Sequence, residues 1–204
     1  MNTGTVAVIA LSVVLLLWYV GGHLYNRRKG QWLRQWVERG LEEIGEEWQG
    51  GWLGSPASGA RILVHRAHPP FQRMEVTLLL ENREIPILWL ADRLQGKRDA
   101  LILKATRRSL RKGIVHAGPP SQVLVPPFLS WHQEKGPHGL IVASQDAGVL
   151  QRVEGLASWL DHYGPYLRRL VLQEEDPHLT VWVNISDLAR NIPAAAFFKD
   201  LRSL

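Results

Sequence analysis

From Val6 to Val20 the chain reads VAVIALSVVLLLWYV, and no side chain between Met1 and Gly22 carries a charge. Roughly 17–25 apolar residues are needed to cross the hydrocarbon core of a bilayer, so this run is just long enough to span one with little tilt. Trp18 and Tyr19 stand at its downstream end, where amphipathic rings favour the headgroup level of a membrane. Arg27, Arg28 and Lys29 follow directly. Positive residues are retained on the cytoplasmic side, so the expected topology is a single pass with the N-terminus outside and the long remainder in the cytoplasm. The membrane is expected to be the cell membrane, or that of the endoplasmic reticulum in a eukaryote. The competing expectation is a cleaved signal peptide, with Val20-Gly21-Gly22 as its small-residue site. Such a peptide carries Lys or Arg ahead of its apolar run, and here the basic cluster lies behind it. The anchor is the better reading.

Behind the anchor, Trp32, Leu33, Trp36, Val37, Leu41, Ile44 and Trp48 recur at steps of three and four, which predicts an amphipathic helix over Gln31–Gln49. Its other face is largely acidic towards the end and is a poor match for anionic lipid, so it is expected to pack on the soluble part. GGWLGSPASG then reads as a linker. The division is therefore an anchor over 1–26, an amphipathic helix and linker over 27–60, and a cytoplasmic domain over 61–204. Strands are expected over Arg61–Ala67, Arg73–Leu80, Ala100–Thr106, Leu140–Ala143, Leu167–Leu172 and Leu179–Ile185. Helices are expected over Ile85–Arg93, Asp146–Tyr163 and Ile192–Leu204. This order predicts an α+β fold, a mixed α/β domain behind a single transmembrane helix, rather than a regular βαβ array.

The residues offer little catalytic chemistry. The chain has no cysteine, which removes disulfide scaffolds, thiol catalysis and cysteine-ligated metal. His65 and His68 fall on opposite faces of an extended segment, and His132 and His138 flank a Gly-Pro loop. Asp161 and His162 are neighbours on a helix and point about 100° apart. No nucleophile elbow, zincin helix or dinucleotide fingerprint occurs. The expectation is a protein that is not an enzyme, with no catalytic, cofactor or metal residues.

One stretch does stand out. Lys104, Arg107, Arg108, Arg111 and Lys112 bring five positive charges into nine residues without an acid, and Lys97 and Arg98 precede them. Basic residues near an anionic leaflet contribute about 1 kcal/mol each, so this segment, with Arg27, Arg28 and Lys29, is the expected surface for lipid headgroups, nucleic-acid phosphate or a partner. A solvated, solubilising face is the alternative.

The order of elements resembles the calumin family, the coiled-coil-containing subunit of the PAT complex beside the Sec translocon. The likeness spans roughly residues 15 to 200. It is carried by WYVGGHLYN at the end of the anchor, the QWL helix, RMEVTLLL, ILWLADRLQGKRD, ALILKAT, GLASWLDHYGPYLRRLVLQEE and LTVWVNI. The resemblance implies a noncatalytic cytosolic domain that assists the insertion or assembly of multipass membrane proteins. The implied partners are the bilayer, a small membrane protein or nascent transmembrane helices, and the Sec translocon or an insertase. Two departures stand against the family pattern. Only a few residues precede the apolar run, where the family has an acidic region, and the chain stops at Leu204, where the family continues into a charged coiled coil. That tail carries the family's ribosome contacts, so ribosome docking does not follow, and the short form looks prokaryotic. A structural accessory subunit of a membrane enzyme complex is the alternative function.

Overall fold

The computed structural model describes residues 2–109, 113–122, 131–153 and 155–204. Its first element, α1, runs from Thr3 to Leu41 as one unbroken helix of 39 residues, capped by the Asn2 side chain, which accepts from the Gly4 N–H. The helix runs through residue 26, the expected end of the anchor, without a break. A glycine in a helix interior costs about 1 kcal/mol and does not by itself end a long helix, so Gly21 and Gly22 are carried within α1. The upper part of α1 is exposed throughout. Below it, Asn26, Gly30, Leu33, Val37 and Gly40 form a buried stripe at steps of three and four. The near end is a long apolar helix, and the far end is core.

The helix stops at Leu41, short of the expected Gln49, and Trp48–Trp52 is a strand, β1, where sequence periodicity suggests helix and linker. Gly45 sits in close backbone contact with Arg66 and bridges to Ala67, which turns the chain onto the sheet. β1 then pairs antiparallel with β2 (Gly59–Val64), Trp48 opposite Val64 and Trp52 opposite Ala60. β3 (Phe71–Leu79), the helix α2 (Pro86–Leu94) and β4 (Ala100–Arg107) follow, close to their expected places. β5 (Val115–Gly118) and β6 (His132–Lys135) lie in a Gly/Pro-rich region with little periodicity. Next come β7 (Ile141–Ser144), α3 (Val149–Arg152) and α4 (Leu156–Tyr163). The helix expected over Asp146–Tyr163 is thus two, because Gly155 between them takes φ 82°, a left-handed conformation that side chains disfavour. β8 (Leu167–Leu172), β9 (Leu179–Asn184), α5 (Ile185–Asn191) and α6 (Ala194–Leu201) complete the chain.

Among the described residues, nine strands form one sheet in the order β1-β2-β3-β4-β9-β8-β5-β7-β6, and every pairing is antiparallel. Fold class is therefore mixed α/β, a long N-terminal apolar helix joined to a large antiparallel sheet. On β2, β3, β4 and β9, alternate residues such as Ile62, Val76, Leu103 and Val181 are buried, and their neighbours Arg61, Glu75 and Lys104 face outward. The helices meet around Phe197, whose ring stands 5.2 Å from Tyr163, 5.4 Å from Phe198, 6.1 Å from Trp36 and 6.3 Å from Trp159. Of the polar atoms carried into this cluster, two are paired, and the buried Trp159 indole nitrogen has no hydrogen-bond partner among the described residues. The Trp36 indole donates to the Ile192 carbonyl at 3.1 Å, and the Tyr163 hydroxyl to Asp200 at 2.8 Å. Burial, together with that carboxylate, pushes the Tyr163 hydroxyl well above its ordinary pKa.

Candidate functional site at the foot of the apolar helix

Where α1 leaves the apolar surface and enters the core, it meets the segment joining β3 to β4. That segment brings Glu81, Arg83 and Asp99 against Asn26 and Lys29. The Asp99 side chain is only 1% exposed. Its carboxylate accepts from Lys29 Nζ at 2.5 Å, from both Arg83 terminal nitrogens at 2.9 and 3.0 Å, from Ser186 Oγ at 2.7 Å and from the Glu81 backbone N–H at 2.8 Å. Burial by itself would raise the Asp99 carboxyl. The bonds from Arg83, Lys29 and the Glu81 N–H outweigh it and hold the group well below the usual carboxylate range. Burial likewise opposes the charge on Arg83, and its bidentate pairing with Asp99 more than offsets that. Asn26 ties the two halves together, donating to the Glu81 carbonyl at 2.7 Å and accepting from Arg83 at 2.8 Å. The Glu81 carboxylate accepts from the Trp89 indole at 3.0 Å and pairs with Arg83 at 3.2 Å. Two cations facing two carboxylates, with their hydrogen bonds made, form a clasp rather than a proton-transfer site.

Contacts continue up the helix. The Trp18 indole donates to the Arg83 carbonyl at 3.0 Å, its ring lies 5.8 Å from that of Trp89, and His23 Nδ1 stands 2.8 Å from Glu84. Gly22 is pressed on the same segment, since a Cβ there would fall 2.3 Å from the Arg83 carbonyl oxygen, while Gly21 faces open space. The two glycines should therefore respond oppositely to alanine. Gly21→Ala is expected to stabilise the helix by up to about 1 kcal/mol. Gly22→Ala is expected to cost about 1–3 kcal/mol, because a backbone carbonyl has to move. Thermal unfolding of the two variants in the same detergent checks the opposition in sign.

α2 is the outermost part of this region. None of its residues is buried; Ile87 and Leu94 are 78% and 81% exposed, and Leu88 and Leu90 are exposed too. Trp89 is turned inward, onto Trp18 and Glu81, and Arg93 lies over its ring at 5.4 Å.

The basic residues singled out by the sequence do not share a face. Arg27 and Arg28 are exposed, but Lys29, expected at headgroups, is half-buried and paired with Asp99. Lys97 pairs with Asp92 at 2.6 Å, and Arg98 donates to the Arg93 and Lys97 carbonyls, both ahead of β4. Lys104 faces out from the middle of β4. At the far end, about 24 Å along the strand, Arg107 is buried and its guanidinium donates to the Leu204 carbonyl. Arg108 donates to the Phe71 and Ala67 carbonyls at 3.0 Å each. Arg111 and Lys112 lie outside the described residues. The expected single anionic-binding segment is thus split by the strand, whose alternation sends Arg107 inward with Leu101, Leu103 and Ala105. Trp18, expected at a membrane interface, is where α1 first touches the rest of the protein, with Tyr19 exposed beside it. What the sequence left unseen is the clasp, since Asn26, Glu81, Arg83 and Asp99 are scattered and carry no motif. Among the described residues, no group of three or more His, Asp or Glu is placed to hold a metal ion.

No protein-family model matches the chain. No curated protein matches it either. Among solved structures it is similar to the crystal structure of the mycobacterial trehalose monomycolate transport factor A, TtfA, at 12% identity, covering 86% of this chain and 95% of that one, with a TM-score of 0.40. A likeness at that level carries no argument about what this chain does.

Proposed function

We propose that the chain is a non-catalytic factor anchored in the membrane by α1, with its sheet domain in the cytoplasm, and that it assists the insertion or assembly of multipass membrane proteins. The observation that supports the anchor is the division of α1 itself. It is long and apolar enough to cross a membrane, the window that qualifies is entirely unburied, and the same helix continues into the core. An apolar helix face of that length left outside the protein is at home in lipid. The orientation follows from Arg27 and Arg28, which stay exposed just below the apolar run. The narrower role at a translocon or insertase rests on the resemblance to the calumin family, as do a small membrane-protein partner and nascent helices as ligands.

A second reading, a structural accessory subunit of a membrane enzyme complex, is favoured by the clasp. A domain locked to its anchor by a buried ionic cluster suits a fixed place in a stable assembly. Crosslinking in intact membranes, then purification in mild detergent, separates the two. Substoichiometric recovery of a Sec channel or an insertase is expected on the first reading. Stoichiometric recovery of one large enzyme complex overturns it in favour of the second.

Topology has its own test, because the chain has no native cysteine. In intact cells a membrane-impermeant maleimide should label Asn2→Cys and spare Gln49→Cys; the reverse pattern inverts the orientation.

A further inference from the structure

For a protein surrounded by water, α2 is mounted the wrong way round. Ile87, Leu90 and Leu94 follow one another at steps of three and four, and so make one stripe along the helix. A surface helix ordinarily turns such a stripe to the core. Here the stripe faces outward, with exposures of 78%, 54% and 81%. Ile85 and Leu88 widen it, at 45% and 49%. A contiguous exposed apolar patch of this kind marks a surface that something else covers.

The position of α2 along α1 says what that is. From Thr3 to Val20 the helix rises about 27 Å, against about 30 Å for the hydrocarbon core of a bilayer. The lower boundary of the hydrocarbon therefore falls near Gly21 and Gly22. Those are the residues beside which the α2 segment attaches: Trp18 bonds the Arg83 carbonyl, Gly22 abuts the same carbonyl, and Trp18 lies against Trp89. α2 thus stands level with the end of the apolar run. Cations outnumber acids at this level, where Asp92 on α2 pairs with Lys97 at 2.6 Å, Arg93 lies 4.0 Å from the Glu81 carboxylate and Glu84 faces His23. Arg93, Lys97 and Arg98 stand at and just behind the end of the stripe, and Arg168 reaches the same turn to donate to the Gly96 carbonyl at 2.6 Å. Burial and the neighbouring Arg98 charge push the Arg168 guanidinium down, as expected where cations gather.

We propose that α2 lies in the plane of the membrane interface, with Ile87, Leu90 and Leu94 among the upper acyl chains and Arg93, Lys97 and Arg98 reaching anionic headgroup phosphates. This rests on α1 spanning the bilayer. A helix of this amphipathic type buries its apolar face about 5–10 Å into the headgroup boundary, and basic residues beside it add attraction for anionic lipid. A lone spanning helix can spin about its own axis, and a second attachment beside it removes that freedom. The sheet domain then presents one fixed side to the membrane.

The test uses the full chain, which has no cysteine of its own. Single cysteines at Leu11, Leu63, Ile87 and Leu94 each carry a nitroxide, and the protein is placed in vesicles of phosphatidylethanolamine with phosphatidylglycerol. Collision with oxygen, which prefers lipid, is compared with collision with a water-soluble nickel chelate. The oxygen-to-nickel ratio at Ile87→Cys and Leu94→Cys is expected to exceed that at Leu63→Cys, on the outer face of β2, several-fold, with Leu11→Cys higher still. If the α2 labels match Leu63→Cys while Leu11→Cys lies in lipid, the proposal falls and the anchor stands. Labels at α2 closed to both reagents mean that protein covers the stripe, a second copy or a partner helix, and that also overturns it. Nickel access at Leu11→Cys removes the anchor itself, and α2 docking with it.

Discussion

Replacing Asp99 with alanine should lower the stability of the detergent-solubilised protein by about 3–5 kcal/mol, on the order of 10 °C in melting temperature. The size of the effect comes from what is left behind. Lys29 and Arg83, with side chains only 11% and 13% exposed, would lose the carboxylate that accepts from both, and Ser186 and the Glu81 N–H would lose their acceptor. Removing one partner of a buried pair strands a charge, which costs more than the pair is worth. Asp99→Asn keeps the shape and should cost somewhat less. A quadruple replacement, Asp99→Asn and Glu81→Gln with Lys29→Met and Arg83→Met, removes all four charges together, Glu81 included because it pairs with Arg83 at 3.2 Å, and should recover much of the loss. If the quadruple variant is no better than the single one, the stranded-charge account is wrong.

The same group fixes an acid dependence. Its folded pKa is depressed, so the stability it contributes is present above the ordinary aspartate value and is lost as pH falls towards the lower folded one. The gap in melting temperature between the native protein and Asp99→Asn should therefore be widest at neutral pH and close as pH drops below about 4. A gap independent of pH would mean that the Asp99 charge contributes nothing.

Phe197→Ala should be comparably damaging, at about 3–5 kcal/mol. Its ring is fully buried and touches those of Trp36 on α1, Trp159 and Tyr163 on α4, and Phe198 on its own helix. Removing it opens a void where α1, α4 and α6 meet, and neighbours this large have little room to relax into it. By contrast Leu94→Ala, which removes an equally apolar side chain from an exposed position, should change stability in detergent by no more than about 0.5 kcal/mol. Denaturant unfolding of the pair, with equal slopes, separates a core residue from a surface one.

Much of this architecture is legible in the residues. The alternation in RMEVTLLL and ALILKAT marks β3 and β4 to within a residue or two, and the periodicity of ILWLADRL marks α2. The same alternation, followed one step further, sends Arg107 to the buried side with Leu101, Leu103 and Ala105; reading the basic run as a charge cluster hides that. Trp48 continues the helical spacing of Trp32 and Trp36, but it belongs to a strand, because its pairing with Val64 is a tertiary choice that local periodicity does not encode. The strands β5 and β6 are short and flank proline-rich sequence, so their pairing with β7 carries no local signal. The clasp is the least visible part. Asn26, Glu81, Arg83, Asp99 and Ser186 become neighbours only when α1, the β3–β4 connection and α5 come together, and each alone looks like an ordinary polar residue of a turn or helix.

The unbroken course of α1 through Gly21 and Gly22 has a mechanical consequence. With the clasp gripping the helix at Asn26 and Lys29, and with Trp36 and Leu41 sunk in the core, there is no joint between the apolar half and the sheet. On the anchored reading the molecule is a lever. Tilting the helix by about 10° around the middle of its apolar run would swing Leu41, about 45 Å away along the axis, sideways by about 8 Å. A change in bilayer thickness or in packing beside the helix would thus arrive at the far side of the sheet as displacement, undamped by any hinge.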